Sequence, residues 1–392
     1  MGLMRLLLAF GVLLAHMNQR ILTPLGLFAD FRLSISLAGG ISVLFFYVVS
    51  GFLISFILDS KYPRGTKGKL AFYKSRFLRI YPLWVPVFFF SALVVTQGAD
   101  PTWSSQQGWL PHIGALFLVG QDARLVFSHY PKQNWDVFPP GSEVSWTLGA
   151  ELLFYLMAPF VLRSLKRSAG LFALSAAIRA VALVMTQSDV DLNIVWTYFF
   201  FPSTLCFFLL GHFGRLISDR LRLSPFFGYS ALAGFIALSL ALANPDRVIT
   251  FNSFGIYAGL LLFALAIPTV FATTKDNKIF NFLGDLTYPL YLVGDLCLMS
   301  VFAVWSGPIG MMTPRVLALA ATIQDPYGRA LWLTGIMTLY ALSVAIIVHY
   351  TVEQPLIPIF RWLLDGAERF GTVHPRQGLG RYMSAKPPLP EA

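Results

Sequence analysis

Residues 38–58 read AGGISVLFFYVVSGFLISFIL, a stretch without a single charged side chain. A helix rises ~1.5 Å per residue, so crossing ~30 Å of hydrocarbon takes ~20 mostly apolar residues. This stretch meets that length. Comparable runs recur at about 3–18, 80–97, 145–163, 169–186, 194–214, 225–243, 253–273, 282–304 and 330–352. The pattern predicts an all-α fold: a polytopic transmembrane bundle of about ten helices. Gly51, Pro86 and Pro202 fall inside runs, which a bundle in lipid tolerates because neighbouring helices re-satisfy the backbone.

Composition points the same way. Of the 392 residues, 56% are hydrophobic and only 12% charged, about half the charged share of an ordinary soluble domain. Mean hydropathy is +0.66. So few charges make a poor water-facing surface for a chain of this length, but a good lipid-facing one. The formal charge of +10 does not imply nucleic acid, because the basic residues sit in short clusters between apolar runs. Lys61, Arg64, Lys67, Lys69, Lys74, Arg76 and Arg79 follow the second run, opposed by Asp59 alone. Alternate loops from there hold Arg163, Lys166 and Arg167, then Arg215, Arg220 and Arg222, then Lys275 and Lys278. The intervening loops are sparsely basic, so the positive-inside bias predicts both termini in the cytoplasm. Large residues (His16 to Gln19) follow Ala15 in place of a small-x-small cleavage site, so the first run reads as a retained span.

A bundle over residues 1–364 is expected, with a long outer loop at about 98–144. That loop includes the semi-apolar GWLPHIGALFLVG (108–120), too short to span and suited to a re-entrant or interfacial helix. Residues 365–392, rich in Pro and Gly, are expected to form a disordered cytoplasmic tail. Cys206 and Cys297 lie inside apolar runs and read as packing residues, and no metal site is expected.

Ionisable side chains are expensive in lipid and mark candidate function. They are His16, Glu151, Arg179, His212, Asp285, Asp295, His349 and Glu353. His16 lies eleven residues after Arg5, a rise of ~16 Å, which puts it near mid-membrane. A neutral imidazole there can accept a proton from a hydroxyl, and packing alone is the plainer reading. Glu151 in SWTLGAELLFY needs a partner, either a histidine or a cation such as Arg179. Arg76 and Arg79, spaced i, i+3, share one helix face. Paired guanidiniums suit phosphate, although positive-inside anchoring accounts for them too. A transporter with His16, Glu151 and Arg179 along its path, or a membrane scaffold, fits the same residues, but no internal repeat of the kind common in transporters occurs.

Six stretches carry a likeness in order. They are Arg5 with His16 after ten intervening residues; FFYVVSGFLI (45–54); FYKSRFLRIYPLW (72–84); SWTLGAELLFY (145–155); LGDLTYPLYLV (283–293); and YTVEQP (350–355). Over about 5–356 the sequence resembles the acyltransferase 3 family of membrane O-acyltransferases. The resemblance implies an enzyme of the plasma (bacterial inner) membrane. Such an enzyme moves an acyl group, often acetyl, from cytoplasmic acyl-CoA to a hydroxyl of a carbohydrate or lipid-linked acceptor. It implies His16 as catalytic residue and Arg5, Arg76 and Arg79 in donor handling or active-site integrity; on the reading of the residues themselves, Glu151 is expected to orient or charge the His16 imidazole. By motif position, Ser50, Gly51, Trp146 and Tyr155 would shape the substrate cavity. The chain departs from the family where a histidine often follows the LYL block: here Gly294 stands, with Asp295 next.

Overall fold

The computed structural model describes residues 1–23, 25–27, 39–94, 114–129, 144–242, 253–301 and 313–365. Among them every regular element is helical and no strand occurs. Helix α1 (Gly2–Met17) runs into a π-helical turn, Asn18–Leu22. Then come α2 (Gly39–Lys61), α3 (Thr66–Val94), the short α4 (Gln121–His129), α5 (Ser145–Val161) and α6 (Leu165–Met185). The second half holds α7 (Val190–Ile194) with a π-helical turn to Phe199, α8 (Phe201–Leu221), α9 (Pro225–Leu242), α10 (Phe254–Thr274) and α11 (Lys278–Val301). It closes with α12 (Thr313–Ala321), α13 (Pro326–Val348), a π-helical turn His349–Glu353 and α14 (Gln354–Asp365).

Among the described residues each apolar run of the sequence falls on a helix, but the helices are not equal candidates for crossing. Five are long and apolar enough: Gly2–Leu22, α2, α6, α10 and the continuous Pro326–Asp365. A sixth arises if Val190–Phe199 and α8, bent by 49° at Phe200, form one broken span. Helix α5 is short at 17 residues. Helices α3 and α11 carry Arg76, Arg79, Asp285 and Asp295 within their length. The residues of the tail after Asp365, and most of loop 98–144, lie outside the described residues.

Small residues set the closest packing. A Cβ on Gly51 would lie 1.8 Å from the Phe208 carbonyl oxygen, and one on Gly211 1.9 Å from that of Val48. Helices α2 and α8 therefore touch backbone to backbone, as small residues allow in a membrane bundle. Beside the contact, Phe208 stacks between Tyr47 (4.3 Å) and Phe154 (4.5 Å). Alanine at Gly51 is expected to lower stability by about 1–3 kcal/mol through overpacking. Alanine at Gly170, which faces open space, is expected to leave it unchanged. Thermal unfolding of the two variants in detergent checks the difference.

Helices α1 and α11 run parallel and in register. Gly2 meets Gly284 near one end, and Leu13 meets Gly294 further along. Irregular backbone at the Phe200 break and at 114–120 finds hydrogen-bond partners in enclosing side chains, as lipid demands. At the Phe200 break, Arg179 donates to the Thr197 carbonyl, Ser203 Oγ to that of Trp196 (2.7 Å), and the Phe201 N–H to Asp122 of α4 (3.3 Å). The stretch at 114–120 tucks against α3 and α5. Trp84 Nε1 donates to the Leu116 carbonyl (2.9 Å) and Tyr81 to that of Phe117 (2.8 Å). A Cβ at Gly149 of α5 would press within 2.5 Å of the Leu118 carbonyl oxygen.

Candidate active site

Helices α1, α2, α3, α5, α8 and α11 enclose a cavity of about 200 Å³. Its wall is mainly aliphatic and aromatic, with a few convergent polar groups: Arg5, Arg76, Arg79, Glu151, Ser50 and Tyr155. These come from four helices, so Arg5 and the Arg76–Arg79 pair, far apart in sequence, share one chamber. Glu151 accepts from Ser50 (2.9 Å) and from Tyr155. Arg76 lies over the Tyr155 ring at 5.7 Å and Arg79 over Tyr288 at 5.4 Å. Arg79 also has Glu353 at 3.9 Å, and Glu353 binds His349 Nδ1 at 2.7 Å. Even so, Arg76 Nε and Arg79 Nη2 are buried without a hydrogen-bond partner among the described residues. An unsatisfied buried donor is costly. Two of them on cations, in a pocket with one already-engaged carboxylate, suit an anionic guest with several acceptor oxygens.

His16 stands in a separate, much smaller pocket with Gly294 and Asp295 on its wall. Its Nδ1 lies 3.2 Å from Asp295 Oδ1, and the ring is 25% exposed. Asp295 is gripped by Arg20 at both oxygens, Nε to Oδ1 at 2.7 Å and Nη2 to Oδ2 at 2.9 Å. A carboxylate at this distance pairs with the protonated ring and, in the neutral ring, favours the tautomer with its hydrogen on Nδ1. Asp295 is thus the ring's partner, and the expectation that Glu151 orients His16 is corrected. Glu151 belongs to the arginine chamber, held by Ser50 on α2 and by Tyr155 one turn along its own helix. The sequence singled out Asp295 as an intramembrane charge but gave no sign that it meets His16, and it did not single out Arg20 at all.

Two expected cavity residues also fall elsewhere. Gly51 makes the α2–α8 contact and lies outside the cavity wall. Trp146 packs edge-on against Tyr198 (5.0 Å) and Phe199 (4.7 Å), bracing the π-helical turn. Arg179 donates to Tyr257 (2.8 Å) as well as to Thr197, so it serves the broken helix. Among the described residues, His16, Glu151 and Arg179 sit in three separate places and line no common cavity. His212 bonds Ser55 (2.7 Å) between α2 and α8. Neither cysteine forms a disulfide, and both are buried.

The position Gly294 leaves empty bears on this geometry. A Cβ there would come within 3.1 Å of Leu13 Cδ1, the far end of a flexible side chain, so α1 and α11 pack closely at this point. Gly294 and the neighbouring Asp295 both face the small pocket that holds His16.

Long apolar helices around a cationic internal chamber, with a carboxylate-held histidine beyond it, define a multi-pass membrane protein equipped for polar chemistry inside the bilayer. The chain belongs to the acyltransferase 3 family, whose model, described as an acyltransferase domain, matches residues 1–351. It is 25% identical to acyltransferase MdmB of Streptomyces mycarofaciens over 355 residues, 82% of each chain. It is 29% identical to nodulation protein 10 of Rhizobium leguminosarum bv. viciae over 323 residues, 74% of this chain and 82% of that protein. No solved structure matches it.

Proposed function

We propose that the protein is an O-acyltransferase of a bacterial inner membrane. It takes an acyl group, acetyl in the first instance, from cytoplasmic acyl-CoA and gives it to a hydroxyl of a carbohydrate or glycolipid. Ten crossing helices with both termini in the cytoplasm agree with the basic loops and put the arginine chamber toward the donor's side. Arg5, Arg76 and Arg79 hold the phosphates of the donor, and its thioester arm extends between the helices toward His16.

The acceptor oxygen attacks the thioester carbonyl carbon while His16 Nε2 takes the hydroxyl proton. The new C–O bond forms, the C–S bond breaks, and the imidazolium returns the proton to the departing CoA sulfur. Asp295, clamped by Arg20, fixes the ring's tautomer and balances its charge while it is protonated. Ser50 and Tyr155 hold Glu151 where it counters the arginines when no donor is bound.

One observation carries the reading: two buried guanidinium donors stand unpaired in an apolar chamber one wall away from a carboxylate-held histidine. The test is transfer from radiolabelled acetyl-CoA to lipid and glycan extracts by purified protein. His16→Ala is expected to slow transfer by about 10²–10⁴-fold while labelled CoA still binds. Transfer at the wild-type rate in a folded variant overturns the base assignment. A protein that only transports would leave the acceptor's mass unchanged.

A further inference from the structure

We infer that the Tyr291 hydroxyl is the hydrogen-bond donor that receives the negative charge on the thioester carbonyl oxygen during transfer. The inference rests on the acyltransfer reading above and adds a residue that it did not use.

The scissile carbonyl has to lie between the arginine chamber, which takes the donor, and the His16 pocket, which activates the acceptor. Among the described residues Tyr291 alone lines both. On α11 it stands four residues, ~6 Å or about one turn, before Asp295 and on the same face. Tyr288, beside Arg79, lies three residues before it. The helix therefore presents the donor chamber, Tyr291 and the His16 pocket in that order along its axis.

The hydroxyl is held in a state from which it can donate. Its oxygen is 2.7 Å from Thr147 Oγ1. Thr147 gives its own single hydrogen to the Val144 carbonyl at 2.8 Å, so in the Tyr291 pair it accepts and Tyr291 donates. Phe46 packs edge-on against the phenol ring at 6.0 Å, fixing the ring and leaving the O–H torsion free. Rotation about that one bond turns the hydrogen from Thr147 toward a carbonyl oxygen entering the wall between the two compartments.

The chemistry requires such a group. Attack on a thioester carbonyl puts a full negative charge on its oxygen, and preorganised donors at that point lower the barrier. In loop-built sites backbone N–H groups commonly serve. Here the wall is helical, its N–H groups are spent on intrahelical bonds, and the donor comes from a side chain. When the tetrahedral intermediate collapses, the carbonyl re-forms, the C–S bond breaks, and the phenol hydrogen swings back to Thr147. Tyr291 keeps its proton throughout, and the proton lost by the acceptor travels through His16.

Tyr291→Phe keeps the ring and removes the donor. We expect kcat for transfer from acetyl-CoA to fall by about 10²–10³-fold, with KM for acetyl-CoA within about twofold of wild type, because the interaction exists only in the transition state. A kcat within about twofold of wild type, or a raised KM with unchanged kcat, overturns the assignment. If the phenylalanine variant does not fold, a fluorinated tyrosine incorporated at position 291 decides. It keeps the shape and acidifies the phenol, so kcat must change with phenol acidity, and an unchanged kcat overturns the proposal. His16→Ala run in parallel separates the two readings. Full transfer without His16 fails the acyltransfer mechanism itself. Loss of transfer without His16 alongside full transfer by Tyr291→Phe fails the Tyr291 assignment alone.

Discussion

Asparagine at position 295 is expected to cut acyl transfer by about 10²–10⁴-fold, comparable to losing the base. Two effects act together. The amide nitrogen can donate to His16 Nδ1, which moves the ring hydrogen to Nε2 and removes the lone pair that accepts the acceptor's proton. The amide also leaves the developing imidazolium without its counter-charge. A structural effect accompanies these, because Arg20 loses a partner that is 1% exposed. Breaking a fully buried pair costs about 3–5 kcal/mol, and the cost is smaller here because Arg20 is 27% exposed. The double variant Asp295→Asn with Arg20→Gln removes the stranded cation. It is expected to regain much of the thermal stability while activity stays low. Recovery of both, measured as kcat across pH alongside thermal unfolding, would reduce Asp295 to a packing role.

The second large effect is expected on donor binding. Arg76→Gln with Arg79→Gln keeps polar side chains in the chamber and removes two charges. Hydrogen bonds to charged groups contribute about 1.5–3 kcal/mol each. The double variant should therefore raise KM for acyl-CoA by about 10²-fold or more, and leave kcat at saturating donor much less affected. Binding of labelled CoA should weaken in step and lose part of its salt dependence. An unchanged KM would mean that the donor's phosphates rest elsewhere. The arginines would then be anchors for the basic end of α3.

The helices were legible because a membrane span is a property of contiguous sequence: among the described residues each apolar run landed on a helix, and the long run at 38–58 became α2. Helix ends were less so. The basic stretch before residue 80 continues α3 back to Thr66, since lysine and arginine are good helix formers and hydropathy says nothing about where a helix begins in water. The bend at Phe200 was hidden inside an apolar run, and only the enclosing donors and acceptors reveal it.

The site divided along similar lines. Arg5, Arg76, Arg79, Ser50, Glu151 and Tyr155 could be picked out from motif blocks, and they do converge. Pairings were not legible, because a contact such as His16 with Asp295 joins positions in the first and eleventh helices and leaves no local periodicity. Glu151 looked like a histidine's partner since both were unexplained intramembrane groups. In space, its hydroxyl donors are one helix away and one turn away. Gly51 and Trp146 share motif blocks with cavity residues, but a glycine needed for helix contact and a tryptophan needed for bracing give the same one-letter pattern as lining residues.

The in-register pairing of α1 with α11 also makes α1 a ruler. Eleven residues at about 100° each bring His16 back to within about 20° of the azimuth of Arg5. One strip of the cylinder therefore carries both the proposed phosphate-binding arginine and the proposed proton acceptor. Lengthening or shortening the stretch between them by a single position would swing the imidazole about 100° around the axis, away from its carboxylate, with every side chain of the site still present. The ten residues separating the two are thus constrained by their number as well as by their chemistry, since phase decides whether Arg5 and His16 face the same side of the helix.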